Sequence, residues 1–99
     1  MHALLQQKIR QFLVHSFLYY HLGESVISDN QYDKICRTLQ ELLPQFSNHL
    51  FPFKEITEQA LGQESSGFSI NHYPAPIISA ALHLLYQSQY AHIYKFSEF

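Results

Sequence analysis

The sequence predicts a mainly α protein: an N-terminal antiparallel helical hairpin, an irregular middle segment and a third, C-terminal helix. Three observations carry this expectation. Apolar residues recur at three- and four-residue spacing in three separate stretches. Gly23, Ser28, Pro44, Pro74 and Pro76 stand where helices stop and start. The chain has 99 residues, 46% of them hydrophobic, which suits one core and argues against disorder. Residues 1–99 therefore read as a single domain, with 1–44 as the hairpin and 45–99 as the remainder.

The first helix is expected over residues 3–22. Leu5, Ile9, Phe12, Leu13, Phe17 and Tyr20 follow one face, and Leu4, Val14 and Leu18 widen it. Gly23 stands where a glycine commonly ends a helix. After a short link, Ser28 and Gln31 have capping-box spacing for a second helix. Tyr32, Ile35, Cys36, Leu39, Leu42 and Leu43 give that helix its apolar stripe, and Pro44 stops it. A link this short favours an antiparallel pair.

Residues 45–73 give weaker signals. A short helix could begin near Pro52 and take in Thr57 to Leu61. The run GQESSG at 62–67 reads as loop, and Phe68 to Ile70 as briefly extended. The third helix is expected over 76–90. Ile77, Ala81, Leu84 and Leu85 lie on one side and Ile78, Leu82 and Tyr86 on another. A helix apolar on two sides is central or shared with a partner subunit. The tail carries Tyr90, Ile93, Tyr94, Phe96 and Phe99, dense enough to fold back on the core or to form an oligomer contact.

Charge and cysteine usage narrow the function classes. Charged residues make up 14%, against a usual share of roughly 25%. Aromatics reach 15%. Such a surface suggests self-association, so a homo-oligomer is expected. The net charge is -2 and no basic run occurs, which disfavours direct nucleic-acid binding. The one cysteine, Cys36, excludes an internal disulfide. The opening MHALLQQKIRQF does not read as a signal peptide, and no stretch reaches a membrane span. The expected location is cytoplasmic. Seven histidines are scattered without metal-ligand spacing, so no metal is expected.

One constellation suggests chemistry. Asp29, Tyr32 and Asp33 stand at i, i+3 and i+4, sharing one face of the second helix's first turn. Acids there also offset the helix dipole, so spacing alone is compatible with a purely structural role. A hairpin would add Tyr19 and Tyr20, at the end of the first helix. Three tyrosines and two carboxylates suit a planar, cationic or amide-bearing ring. A phosphate would need basic side chains, for which Arg10, Lys34 and Arg37 are the candidate contacts.

Residues 19–33, YYHLGESVISDNQYD, resemble the N-terminal helical-hairpin domain of bacterial NAD-dependent DNA ligases. That family reads Y-[YH]-x-L-x-x-x-x-[IV]-S-D-x-x-Y-D. Tyr19, Tyr20, Leu22, Ile27, Ser28, Asp29, Tyr32 and Asp33 match it without a gap, and KICRTLQELL continues like the family's next helix. The resemblance covers about residues 3–43. It implies binding of the nicotinamide mononucleotide half of NAD by Tyr19, Tyr20, Asp29, Tyr32 and Asp33. Gly23 stands where the family often has Asp. No lysine stands in the K-x-D-G context that adenylation requires, so no ligase activity is expected. The chain looks like the short ligase-related proteins encoded mainly by bacteriophages, an impression to which SSGF and HYPAPI add.

The function that follows is non-catalytic binding of a nicotinamide or ADP-ribose-type nucleotide, as ligand and not as cofactor. In a phage setting, in the bacterial host cytoplasm, such a protein would act as a sponge for an NAD-derived immune signal. One alternative is a protein-interaction module that inhibits a host enzyme such as DNA ligase. Another is an NAD glycohydrolase-like enzyme using Asp29 or Asp33. On the binding reading, Tyr32→Ala weakens nucleotide binding while the fold is retained.

Overall fold

In the computed structural model, residues 2–64 and 66–97 are described, without the side chains of residues 2 and 90–97. Four α-helices follow in order: α1 (His2–Leu22), α2 (Asp29–Leu42), α3 (Lys54–Glu64) and α4 (Ala75–Ser97). A 3-10 turn, Leu43–Phe46, continues α2. No strand occurs among the described residues, and no helix among them is long and apolar enough to cross a membrane.

Helix α1 is central and packs against α2, α3 and α4. Its sequence explains why. Leu5, Ile9, Phe12, Leu13, Val14 and Leu18 are all buried, more than one narrow stripe can hold, so α1 needs neighbours on several sides. Each such side chain contributes about 1.5–3 kcal/mol through burial. Helix α2 covers one side with Ile35, Cys36 and Leu39. Burial pushes the Cys36 thiol up to about 11, so it packs as an inert apolar group.

The hairpin elbow forms as the local signals require. Gly23 has φ +65°, a left-handed conformation that glycine adopts without a Cβ clash. The Glu24 N–H then turns back to the Leu18 carbonyl at 2.9 Å. Ser28 caps α2: its hydroxyl accepts from Gln31 N–H at 3.1 Å, and Gln31 Oε1 accepts from Ser28 N–H at 2.9 Å. The cap and the glycine set where the two helices end and face each other.

The middle segment is more ordered than its composition suggests. Helix α3 runs through Gly62 to Glu64, so the loop reading of 62–67 was too long at its start. Phe68 and Ser69 form a turn closed by Ile70 N–H on the Gly67 carbonyl at 3.2 Å, not an extended stretch. Lys54 opens α3 and is 8% exposed. Its ammonium donates to the carbonyls of Phe46 (2.7 Å), Ser47 (3.1 Å) and His49 (2.7 Å), closing the C-terminal end of the 3-10 turn.

Helix α4 starts one residue before the expected position and continues seven beyond it. Ile77 and Ala81 are buried against the core, with Leu84 and Leu85 partly so. Leu82 and Tyr86, on the second apolar side, are exposed. The side chains of Tyr90, Ile93, Tyr94 and Phe96, and all of Phe99, lie outside the described residues, and with them the expected tail contacts.

Candidate functional site

The elbow between α1 and α2 holds a cleft of about 290 Å³. That is near the lower end of pockets that take small organic ligands. Tyr19, Tyr20, Asp29, Tyr32 and Asp33, the five residues singled out by spacing and resemblance, all line it. Four segments cooperate, one of them the 66–68 turn, which gives Ser66. The last turns of α1 give His15, Tyr19 and Tyr20, and the first turn of α2 gives Asp29, Tyr32 and Asp33. The link between them adds Glu24, Ser25, Val26 and Ile27.

The tyrosines differ in what they can do. Tyr19 is 51% exposed and meets Tyr20 edge to face, with centroids 4.8 Å apart. Tyr20 is half-buried and takes the edge of Phe68 at 5.6 Å. Its hydroxyl donates to Ser66 Oγ at 3.3 Å. These rings form a wall of the cleft and keep aromatic surface open.

Tyr32 is an anchor. Its hydroxyl shares a 2.7 Å hydrogen bond with Ser16 Oγ and accepts from Gly67 N–H at 3.0 Å. Its ring packs on Phe12 at 6.2 Å. Burial holds the phenol well above its ordinary range, so it stays protonated. Both hydrogen bonds reach groups that water cannot easily serve, since Ser16 and Gly67 are buried. Tyr32→Phe should therefore lower stability by about 1–3 kcal/mol, because it leaves two buried groups unpaired. An unchanged denaturation midpoint for that variant would refute this anchoring role. Tyr32→Ala also leaves a cavity, so a loss of binding in that variant does not report on stacking alone.

The cleft's charge is one-sided. Glu24, Asp29 and Asp33 line it, and no lysine or arginine does. Neither aspartate is paired with a cation among the described residues. Burial holds the His15 imidazole below the usual histidine range, so at neutral pH it does not oppose the carboxylates. Its Nδ1 is buried and makes no hydrogen bond. Aromatic faces beside unopposed acids attract a cation with N–H or O–H donors.

The basic candidates lie elsewhere. Arg10 lines a groove between α1 and α4, with Ala80 and Leu84. Lys34 lines a groove between α1 and α2, with Lys8. Arg37 is exposed on α2 and is not among the cleft's lining residues. None of the three expected phosphate contacts thus stands in the cleft wall.

Sequence reasoning missed His15, Glu24 and Ser66. His15 stands one helical turn before Tyr19, a spacing that could have flagged it. Ser66 had no such signal, because a tertiary contact alone brings it from beyond α3 to Tyr20. Among the described residues, no group of three or more histidine, cysteine, aspartate or glutamate side chains is placed to hold a metal ion.

The chain is similar to pieces of three DNA ligases. It is 33% identical over 72 residues to the DNA ligase of Pelotomaculum thermopropionicum, a match covering 73% of this chain and 10% of that protein. For Fervidobacterium nodosum the match is 32% over 74 residues, covering 74% of this chain and 11% of the ligase. For Blochmanniella pennsylvanica it is 34% over 74 residues, covering 74% and 12%. The chain thus matches only about a tenth of the length of these curated relatives, a short piece and not a full catalytic domain. No family model matches the chain, and no solved structure does.

Proposed function

We propose that the elbow cleft binds a nicotinamide or ADP-ribose-type nucleotide (nicotinamide mononucleotide, NAD or an NAD-derived signal) without turning it over, and that it takes the cationic ring of those ligands that carry nicotinamide. The observation that carries this reading is the convergence of Tyr19, Tyr20, Asp29, Tyr32 and Asp33 on one open cleft. Tyr19 and Tyr20 offer the ring a face. Asp29 and Asp33 favour its positive charge and accept from its amide or from ribose hydroxyls. Similarity to ligase pieces, together with the NMN-domain pattern in residues 19–33, supports the same ligand class. The absence of a K-x-D-G lysine supports binding over adenylation. In a phage-encoded setting the role would be sequestration of an NAD-derived signal.

Calorimetric titration with nicotinamide mononucleotide, NAD and ADP-ribose tests the reading. Among the described residues Tyr19 makes no side-chain hydrogen bond, so Tyr19→Ala is the clean probe. It should weaken binding by about 1–3 kcal/mol, a stacking loss, with an unchanged melting temperature. Asp33→Asn should hurt oxidised NAD more than the reduced form, whose nicotinamide ring carries no charge. Equal losses for both forms would remove the electrostatic part, and normal binding by Tyr19→Ala would remove the stacking part.

A second reading rests on a separate observation. Phe68 is 67% exposed and stands beside Tyr20 at the cleft's edge. An open aromatic there also suits docking on a protein such as a host ligase. Phe68→Ala should abolish that association while leaving nucleotide titration unchanged.

A further inference from the structure

The elbow cleft shares two lining residues, His15 and Ile27, with a second recess. This neighbouring groove, of about 340 Å³, runs along the seam between α1 and α2. Its chemistry is the reverse of the cleft's. Lys8 and Lys34 line it, with the amides of Gln11 and Gln31, and no carboxylate does.

The change of sign comes from helix geometry. Asp33 and Lys34 are adjacent in sequence and so stand about 100° apart around α2. That rotation puts the carboxylate in the cleft wall and the ammonium in the groove wall. On α1, Lys8, Gln11 and His15 follow three- and four-residue spacing and share one face. From His15 to Lys8 the axis advances about 10 Å. The donors are available. Neither lysine is ion-paired among the described residues. Gln31 Oε1 is taken by the Ser28 N–H, which leaves its amide N–H groups as donors. Arg10 lines a further groove on the α4 side, which shares Gln11 and His15 with this one.

We propose that this groove, through Lys8, Gln11, Gln31 and Lys34, is the phosphate-holding half of the site. A nucleotide would lie across His15 and Ile27, its cationic ring in the acidic cleft and its phosphate among the donors. The proposal rests on the nicotinamide-nucleotide reading and adds to it a second recess, a direction for the ligand and three further residues, Lys8, Gln11 and Gln31. It also explains how a cleft walled by three acids can serve an anionic nucleotide: the phosphate never enters it.

Nicotinamide riboside and nicotinamide mononucleotide share the cationic ring and differ by one phosphate, so calorimetric titration with both separates the two halves. The wild-type protein should bind the mononucleotide at least tenfold more tightly at low salt, a preference that shrinks as salt is raised. In the Lys8→Gln/Lys34→Gln double variant, mononucleotide affinity should fall about tenfold while riboside affinity stays as it was. In Arg37→Gln, at an exposed α2 residue that lines neither recess, both affinities should stay at wild-type values. A double variant that keeps the preference, or loses both ligands equally, overturns the phosphate assignment and leaves the ring site standing. A wild-type protein that binds neither ligand overturns the nucleotide reading, and this one with it.

Discussion

Gly67→Ala should lower stability by about 3 kcal/mol and deform the elbow cleft from behind. A Cβ at Gly67 would overlap the Oγ and Cβ of Ser16 and stand 3.2 Å from the Tyr32 hydroxyl. Ser16 is fully buried in the middle of α1, so it has nowhere to move. Overpacking of this kind costs about 1–3 kcal/mol. Displacing the turn also breaks the Gly67–Tyr32 hydrogen bond, worth about 1 kcal/mol more. At about 4–8 °C per kcal/mol for a domain of this size, the melting temperature should fall by roughly 12–24 °C. Gly62→Ala is the internal control. It sits in α3 with no atom within 4 Å of the added Cβ, and should stabilise by about 0.5–1 kcal/mol. If both glycine variants melt with the wild type, the 66–68 turn does not pack on α1 as described.

Lys54→Met should cost about 3 kcal/mol, although it exchanges a charge for an apolar side chain of similar length. A nearly buried lysine usually needs a carboxylate partner. Here the dipoles of three carbonyls, at Phe46, Ser47 and His49, take that place. Charge-assisted bonds of this type are worth about 1.5–3 kcal/mol each, and water entering the gap returns part of the loss. The effect should be local first. Amide hydrogen exchange should speed up between residues 43 and 57 before it does in α1. Uniform protection throughout, with an unchanged urea midpoint, would mean that the ammonium is not what holds this connection.

These two variants mark where sequence reading ends. The elbow was legible because its determinants are local. Gly23 supplies a positive φ, Ser28 and Gln31 cap each other three residues apart, and Asp29, Tyr32 and Asp33 share a face by helical period alone. The short link then brings Tyr19 and Tyr20 to that face. The 66–68 turn was not legible. Ser66 and Gly67 meet Tyr20 and Tyr32 across 46 and 35 residues of chain, and nothing at either end announces the other. For the same reason Tyr32 was read as a stacking ring. Its spacing places it at the cleft, but only its tertiary partners show that its hydroxyl is already engaged. The placement of the basic residues was hidden for another reason. Arg10, Lys34 and Arg37 were grouped by charge, and the packing of α2 and α4 around α1 sorted Arg10 and Lys34 into separate grooves.

The sequence by itself determined the two hairpin helices, the ends at which they meet and the five side chains at the elbow. Periodicity, capping and turn chemistry act over a few residues, and a one-dimensional string records them fully. Tertiary structure alone decided that the middle segment closes the elbow from behind. It alone decided that Lys54 would be held by carbonyls, and that acid and base would fall on opposite sides of His15 and Ile27. Those outcomes depend on how side chains of different shape fill the space around α1. That is a property of the packed core as a whole, and no short window of sequence contains it.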